Sequence, residues 1–262
     1  MREKEKGKRE RGEGTTDACA AYLVFPLPFA AFPLPPRKLR RGANHARLVV
    51  SSPAMSAVSV DFQGVSKRFG NRSVLTAASG TLQRGRVLVV AGPNGAGKST
   101  LLNILAGLLR PSRGEVVYRE GGSPLPRAHW FERLGMAAPD MSVYEELSAL
   151  ENLRFFARLR GLHLEEPALQ GLLEGLGLAP KEQKRAVGTY SSGMKQRVKL
   201  AQAVLHEPPV LLLDEPSSNL DESGHGVVAD LVVRFRERAA VAVATNDPRE
   251  MAWADARIDL AL

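Results

Sequence analysis

The 262-residue sequence has a single cysteine, Cys19, and it lacks any long run of consecutive apolar residues. The first absence excludes an intrachain disulfide and a cysteine-based metal site, and is compatible with a reducing compartment. The second excludes a bilayer-spanning helix, which needs about 18 such residues. Work at a membrane would therefore require another chain to supply the spanning helices. Internal repeats and RNA- or DNA-binding motifs are also missing. The net charge is +8, but residues 1–54 hold 11 Lys and Arg against 5 Asp and Glu, whereas residues 55–262 hold 25 against 23. A nearly neutral body behind a basic tail excludes nucleic acid from the expected partners.

What remains has the composition of a soluble globular protein, 44% hydrophobic and 24% charged, at a length that holds one large α/β domain. Residues 1–54 differ from the rest. Their first stretch is charged with mixed sign, and the apolar stretch that follows is broken by Pro26 and Pro28. They are expected to be a disordered or non-native extension, with translation starting at Met55. The acids Glu3, Glu5, Glu10 and Glu13 argue against a transit peptide. Residues 55–262 form one expected domain. Continuous apolar runs at 87–91, 210–213 and 240–245 read as central strands of a parallel sheet covered on both faces. Between the first two, residues of about 127–205 carry helical spacing, as in Leu147, Leu150, Leu153 and Ala157, and read as an inserted helical subdomain.

Three motifs carry chemistry. Gly92-Pro93-Asn94-Gly95-Ala96-Gly97-Lys98-Ser99, followed by Thr100, fits the phosphate-loop pattern between a strand and a helix. Its glycines allow close backbone approach to phosphate, and successive N–H groups with the helix's positive end form an anion cradle. Lys98 is placed to reach the β and γ phosphates and Ser99 to ligate Mg²⁺. The apolar run 210–213 ends in Asp214 and Glu215; the first acid suits a metal, and the second can polarise a water for in-line attack. Tyr190-Ser191-Ser192-Gly193-Met194-Lys195-Gln196-Arg197 is a small-residue turn feeding a helix, which serves either as a second phosphate site or as a plain helix cap.

The order of these motifs, closed by Pro216-Ser217-Ser218-Asn219-Leu220-Asp221, resembles the ATP-binding-cassette ATPases over residues 58–262. The resemblance implies an α/β P-loop fold of that type. Such a fold has a mostly parallel central sheet flanked by helices, an inserted helical subdomain and an antiparallel β portion near the N-terminus. ATP and Mg²⁺ are the implied cofactors. Phe69 would stack on adenine, and residues 92 and 94–100 would bind the phosphates. Ser99 and Asp214 would hold the metal, with Glu215 and Asn246 catalytic. Ser191, Gly193 and Asp221 would meet a nucleotide held by another copy. One chain carries each half of such a site once, which implies a homodimer or a paired cassette ATPase. The implied setting is peripheral, on the cytoplasmic face of a membrane beneath a transmembrane permease subunit.

Two positions depart from the family pattern. Pro139 stands where the family has glutamine and offers no side-chain ligand. Asn246 stands at the family's switch histidine; it can donate a hydrogen bond but carries no proton or charge. A finer likeness, in Leu147-Ser148-Ala149-Leu150-Glu151-Asn152-Leu153-Arg154-Phe155-Phe156 and in 190–197, is to the ATP-binding subunit of the haem exporter of cytochrome c maturation. The leading expectation is the energising subunit of an exporter, meeting its partner around 139–152. A soluble cassette ATPase acting in cluster assembly, translation or DNA repair, or a regulatory module without turnover, stays open at this point.

Overall fold

A computed structural model describes residues 57–261; the expectation for residues 1–54 lies outside them. The chain opens with a long antiparallel hairpin, β1 (Val58–Phe69) and β2 (Arg72–Gln83). Its tight turn places Gly70 at φ 57, a conformation that glycine adopts without a Cβ penalty. Next come β3 (Val87–Ala91), helix α1 (Lys98–Leu105), β4 (Arg113–Glu120) and the short β5 (Ser123–Pro124). Helix α2 (Trp130–Arg133) leads into β6 (Leu134–Ala137), followed by helices α3 (Ala149–Leu159), α4 (Glu166–Gly175) and α5 (Ser192–Val204). The rest is β7 (Val210–Asp214), α6 (Glu222–Arg236), β8 (Ala240–Thr245), α7 (Pro248–Met251) and β9 (Ala256–Asp259).

Two sheets result. One is antiparallel in the order β2-β1-β4-β5; the other is wholly parallel in the order β6-β7-β8-β3-β9. Every residue of β3, β7 and β8 is buried, so alternate side chains feed two cores. Val89, Leu211, Leu213, Val241 and Val243 point to the side of α3–α6. Val90, Leu212, Ala242 and Ala244 point to α1 and the antiparallel sheet. Burial on both faces is what a parallel sheet requires, and it explains the unbroken apolar runs.

The segment expected to be helical from about 127 contains a strand. Residues 134–137 pair in parallel with β7, from Leu134↔Val210 to Ala137↔Leu213. Four residues are too few to show a period, and the close packing that singles them out is invisible in sequence. A Cβ on Gly135 would lie 2.1 Å from the carbonyl oxygen of Ala203 on α5.

Asn152 is one anchor of the loop from 138 to 148. Asn152, fully buried, accepts from Tyr144 N–H at 2.8 Å and donates to the carbonyls of Tyr144 and Ser148 at 2.9 Å each. Ser148 caps α3 in a reciprocal box with Glu151, whose carboxylate that bonding holds below its ordinary pKa. Truncation of Asn152 to Ala would remove the partner of the Tyr144 N–H and the side-chain donor that the Tyr144 and Ser148 carbonyls share with backbone donors, and would leave the space of a buried side chain empty. Asn152→Ala is therefore expected to cost about 2–4 kcal/mol of folding stability, read as a lower urea midpoint with an unchanged m-value.

Candidate functional site

The C-terminal ends of β3, β7 and β8 lie side by side in the sheet, so the segments leaving them converge. From β3 comes the loop 92–97. Gly92 has φ 156, and a Cβ there would meet the carbonyl oxygen of Leu260 at 2.5 Å; at Gly97, with φ 96, it would meet that of Val74 at 2.5 Å. No other residue fits either position. Gly97 caps α1 without any side-chain bond, which leaves the first amides of that helix free to face an anion.

Lys98 opens α1 and is buried. Its Nζ donates to the carbonyls of Gly92 at 2.9 Å and Pro93 at 3.1 Å, and lies 3.8 Å from Glu215 Oε1. The ammonium is thus folded back over the loop on partners that phosphate oxygens would replace.

From β7 come the two acids. Asp214 is 2% exposed and bonds the Ser99 side chain, yet its Oδ1 has no hydrogen-bond partner. Burial raises its pKa above the ordinary carboxylate value; the Ser99 bond opposes that shift, while Glu215 adds to it. An orphaned, sealed carboxylate oxygen beside a hydroxyl is the hard-oxygen donor set a divalent cation takes, so the residues fit Mg²⁺. Glu215 follows at φ 47, a left-handed conformation that costs a non-glycine residue about 1–2 kcal/mol. Its N–H donates to Ala244 O on β8 at 2.8 Å, which ties the acid to the neighbouring strand.

From β8 comes Asn246, whose Nδ2 donates to Asn94 Oδ1 at 2.9 Å. The two asparagines bridge the strand end to the phosphate loop. Phe69 ends β1, 50% exposed, with the Lys67 ammonium 5.0 Å from its ring centre. It is therefore not a core aromatic, and its face is available for stacking.

The remaining expected site residues form a second cluster. Ser191 caps α5 by accepting from Met194 N–H at 3.3 Å. A Cβ on Gly193 would lie 2.8 Å from Asn219 O. Gln196 donates to Pro216 O at 3.0 Å, and Arg197 reaches Asp221 Oδ1 at 3.3 Å. Asp221 itself caps α6 through Gly224 N–H at 2.9 Å. Among the described residues, the partners of 191–199 lie on the loops at 139–145, 176–177 and 216–221 and none on the phosphate loop. The loop 216–221 is the link between the clusters.

Two contributors were not legible in the sequence. Lys199 donates to the carbonyl of Pro139 at 2.6 Å, so the loop that lacks a side-chain ligand is staked to α5 by its backbone. The next residue, Asp140, contributes to the raised pKa of Asp214. An acid directly after Pro139 was the available signal; the Lys199 contact had none.

The chain is similar to known proteins in sequence and in fold. The model of the family described as ABC transporter matches residues 75–218. The daunorubicin resistance ATP-binding protein DrrA3 of Streptomyces coeruleorubidus is 38% identical over 183 residues, covering 68% of this chain and 56% of that protein. The Nod factor export ATP-binding protein I of Burkholderia pseudomallei is 39% identical over 171 residues, 64% of this chain and 55% of that protein. The chain thus spans little more than half the length of these two relatives. Among solved structures, the dimeric post-hydrolysis ATP-binding cassette MJ0796 bound to ADP and Pi superposes with a TM-score of 0.68 at 25% identity, covering 77% of this chain and 94% of that one.

The Asp214 environment makes a thermodynamic prediction. Its folded-state pKa is raised, so its contribution favours folding at low pH and is lost as pH rises from the ordinary carboxylate value through the raised one. At neutral pH the apo protein carries that cost. Asp214→Asn is expected to raise the apo melting temperature, by about 2–4 °C for each kcal/mol recovered, and to abolish the further rise caused by Mg²⁺ with ATP. Calorimetric scans with and without Mg-ATP check both signs.

Proposed function

The chain belongs to the ABC transporter family, and from that premise we propose that it is the ATP-binding and ATP-hydrolysing subunit of a membrane exporter. Two copies, or one copy and a related cassette, work head to tail on the cytoplasmic face beneath a transmembrane permease. The observation that carries the reading is the division of the site. Lys98, Ser99, Asp214, Glu215 and Asn246 gather at the sheet ends, while Ser191 caps the start of α5, where Gly193 and Gln196 pack on the 216–221 loop. A nucleotide on the first cluster would be closed over by the second cluster of another copy.

The chemistry follows from the residues in place. Amides of the loop 92–97 and of the α1 terminus bind phosphate oxygens, and Lys98 exchanges its carbonyl partners for them. Phe69 offers its exposed face to the base. Ser99 and Asp214 would hold Mg²⁺, which when bound neutralises phosphate charge. Glu215, fixed by Ala244, takes a proton from the attacking water as general base. Asn246 leaves Asn94 to donate a hydrogen bond to the γ-phosphate, with no charge to add.

Pairing with a permease draws support from the surface near the 139–148 loop. Tyr144 and Phe155 are exposed large aromatics, packed edge to face at 5.0 Å and both against Phe156. No helix among the described residues is long and apolar enough to cross a membrane, so in the proposed complex the spanning helices belong to the partner. Export as the direction draws on the name of the Nod factor export relative. The haem-specific reading rests on the likeness of 147–156 and 190–197; within the first stretch Ser148 and Glu151 form the cap, Asn152 clamps the loop, and Leu153 is core. They specify a helix start, not a cargo.

Glu215→Gln replaces the base with a carboxamide and is expected to stop phosphate release while retaining ATP, so that a dimer accumulates in size-exclusion chromatography with Mg-ATP. A monomer under those conditions contradicts the head-to-tail arrangement. Asn246→Ala is expected to fall well below wild type, whereas Asn246→His gains about tenfold, part of the ~2.7–4 kcal/mol that such a donor supplies. Three equal rates would remove the donor role.

A further inference from the structure

Among the buried polar atoms of the described residues that have no hydrogen-bond partner are Ser217 Oγ and Glu250 Oε2. They belong to residues already joined, because the Ser217 N–H donates to Glu250 Oε1 at 3.1 Å. Glu250 is 2% exposed and Ser217 3%. Glutamate is rarely sealed from water, since burying a carboxyl group with part of its bonding capacity unmet is costly. A lone backbone N–H could be satisfied by any nearby carbonyl, so the placement of an acid here calls for a reason.

The reason lies in what Glu250 connects. It sits on α7, four residues after Asn246, in a segment that is stiff. Asp247 caps α7 by accepting from Arg249 N–H at 2.9 Å, its carboxylate also binds the Arg249 guanidinium at 2.7 Å, and its carbonyl accepts from both Glu250 and Met251 N–H. At one end this segment touches the phosphate loop through the Asn246–Asn94 bond at 2.9 Å. At the other, Glu250 grips Ser217, next to Ser218, whose N–H donates to Glu215 O at 3.0 Å; Leu220 N–H donates to Ser217 O at 3.1 Å. The loop 216–221 is thus fixed to the same short segment that carries Asn246.

We infer that Glu250 is a positioning residue for hydrolysis, tying the loop that follows Glu215 and faces the second copy to the segment that bears Asn246. This rests on the ATPase reading above. Glu250 is sealed from solvent, and it acts through Ser217 and Ser218 on Glu215 and on the closure surface. Removal of its acceptor frees the loop from that segment while leaving the phosphate loop, Lys98 and Ser99 untouched. The loss therefore falls on turnover and not on ATP binding.

The test measures kcat and KM for Mg-ATP in the full chain. Glu250→Ala is expected to lower kcat about tenfold with KM within about twofold, the scale of one lost hydrogen bond to a charged group. Glu250→Gln keeps Oε1 as an acceptor and is expected to stay within about twofold of wild type. In the Asn246→Ala background, Glu250→Ala should add little, because both act through one segment. If Glu250→Ala is not recovered folded, Glu250→Asp carries the test, since a side chain one methylene shorter withdraws the acceptor from Ser217. Wild-type kcat in the Ala or Asp variant overturns the inference. So does a lowered melting temperature with kcat and KM changed alike in all variants, Gln included, which marks a fold anchor only. Absence of turnover in the wild type would instead remove the ATPase reading, and this inference with it.

Discussion

The structure depends on the burial of three parallel strands from both sides. With β3, β7 and β8 covered on each face, no polar side chain can be offered along their length without desolvation, and their backbone groups are spent on the ladder. Chemistry is confined to where the strands end. Because the ladders β7·β8 and β8·β3 keep those ends in register, from Asp214↔Ala244 to Ala91↔Thr245, Gly92, Glu215 and Asn246 leave the sheet as neighbours. The placements of the glycine loop, the acid pair and the Asn246 amide are three consequences of one packing constraint.

The resting site holds its charges in a form that a ligand would rearrange. Lys98 leans on two carbonyls and lies near Glu215, while Asp214 keeps one oxygen unbonded in a dry pocket. Glu215 is held in a left-handed conformation and Asn246 is engaged with Asn94. Each arrangement is locally satisfied or mildly costly, and in the proposed function each would become better satisfied on binding phosphate and a divalent cation. That is preorganisation toward an anionic ligand, obtained by leaving polar groups short of partners.

Legibility in the sequence followed how local the physics is. The glycine-rich loop was readable from its fixed spacing, and the structure adds a packing reason at Gly92 and Gly97, where any Cβ would lie 2.5 Å from the carbonyl oxygen of Leu260 or Val74. The three central strands were readable because double-sided burial forces unbroken apolar runs. Strand β6 was not, since four residues carry no period and their reason is contact with α5 some 70 positions away in the chain. The Glu-Asn-Leu stretch was readable as a likeness, but its meaning needed the structure: Glu151 and Asn152 organise a helix start and a loop. Lys199 on the carbonyl of Pro139 left no trace in sequence, because any donor of the right reach would serve.

The central claim is that a working site needs two copies, the phosphate loop of one and the Ser191–Gly193 turn of the other. It is tested most directly by mixing two inactive variants. Lys98→Ala disables the phosphate loop and keeps the turn; Ser192→Arg puts a bulky cation on the exposed turn and keeps the phosphate loop. Random pairing makes half of all dimers mixed, each with one intact composite site, so phosphate release should reappear at up to about a quarter of the wild-type rate. A mixture as inactive as its two components would contradict the account.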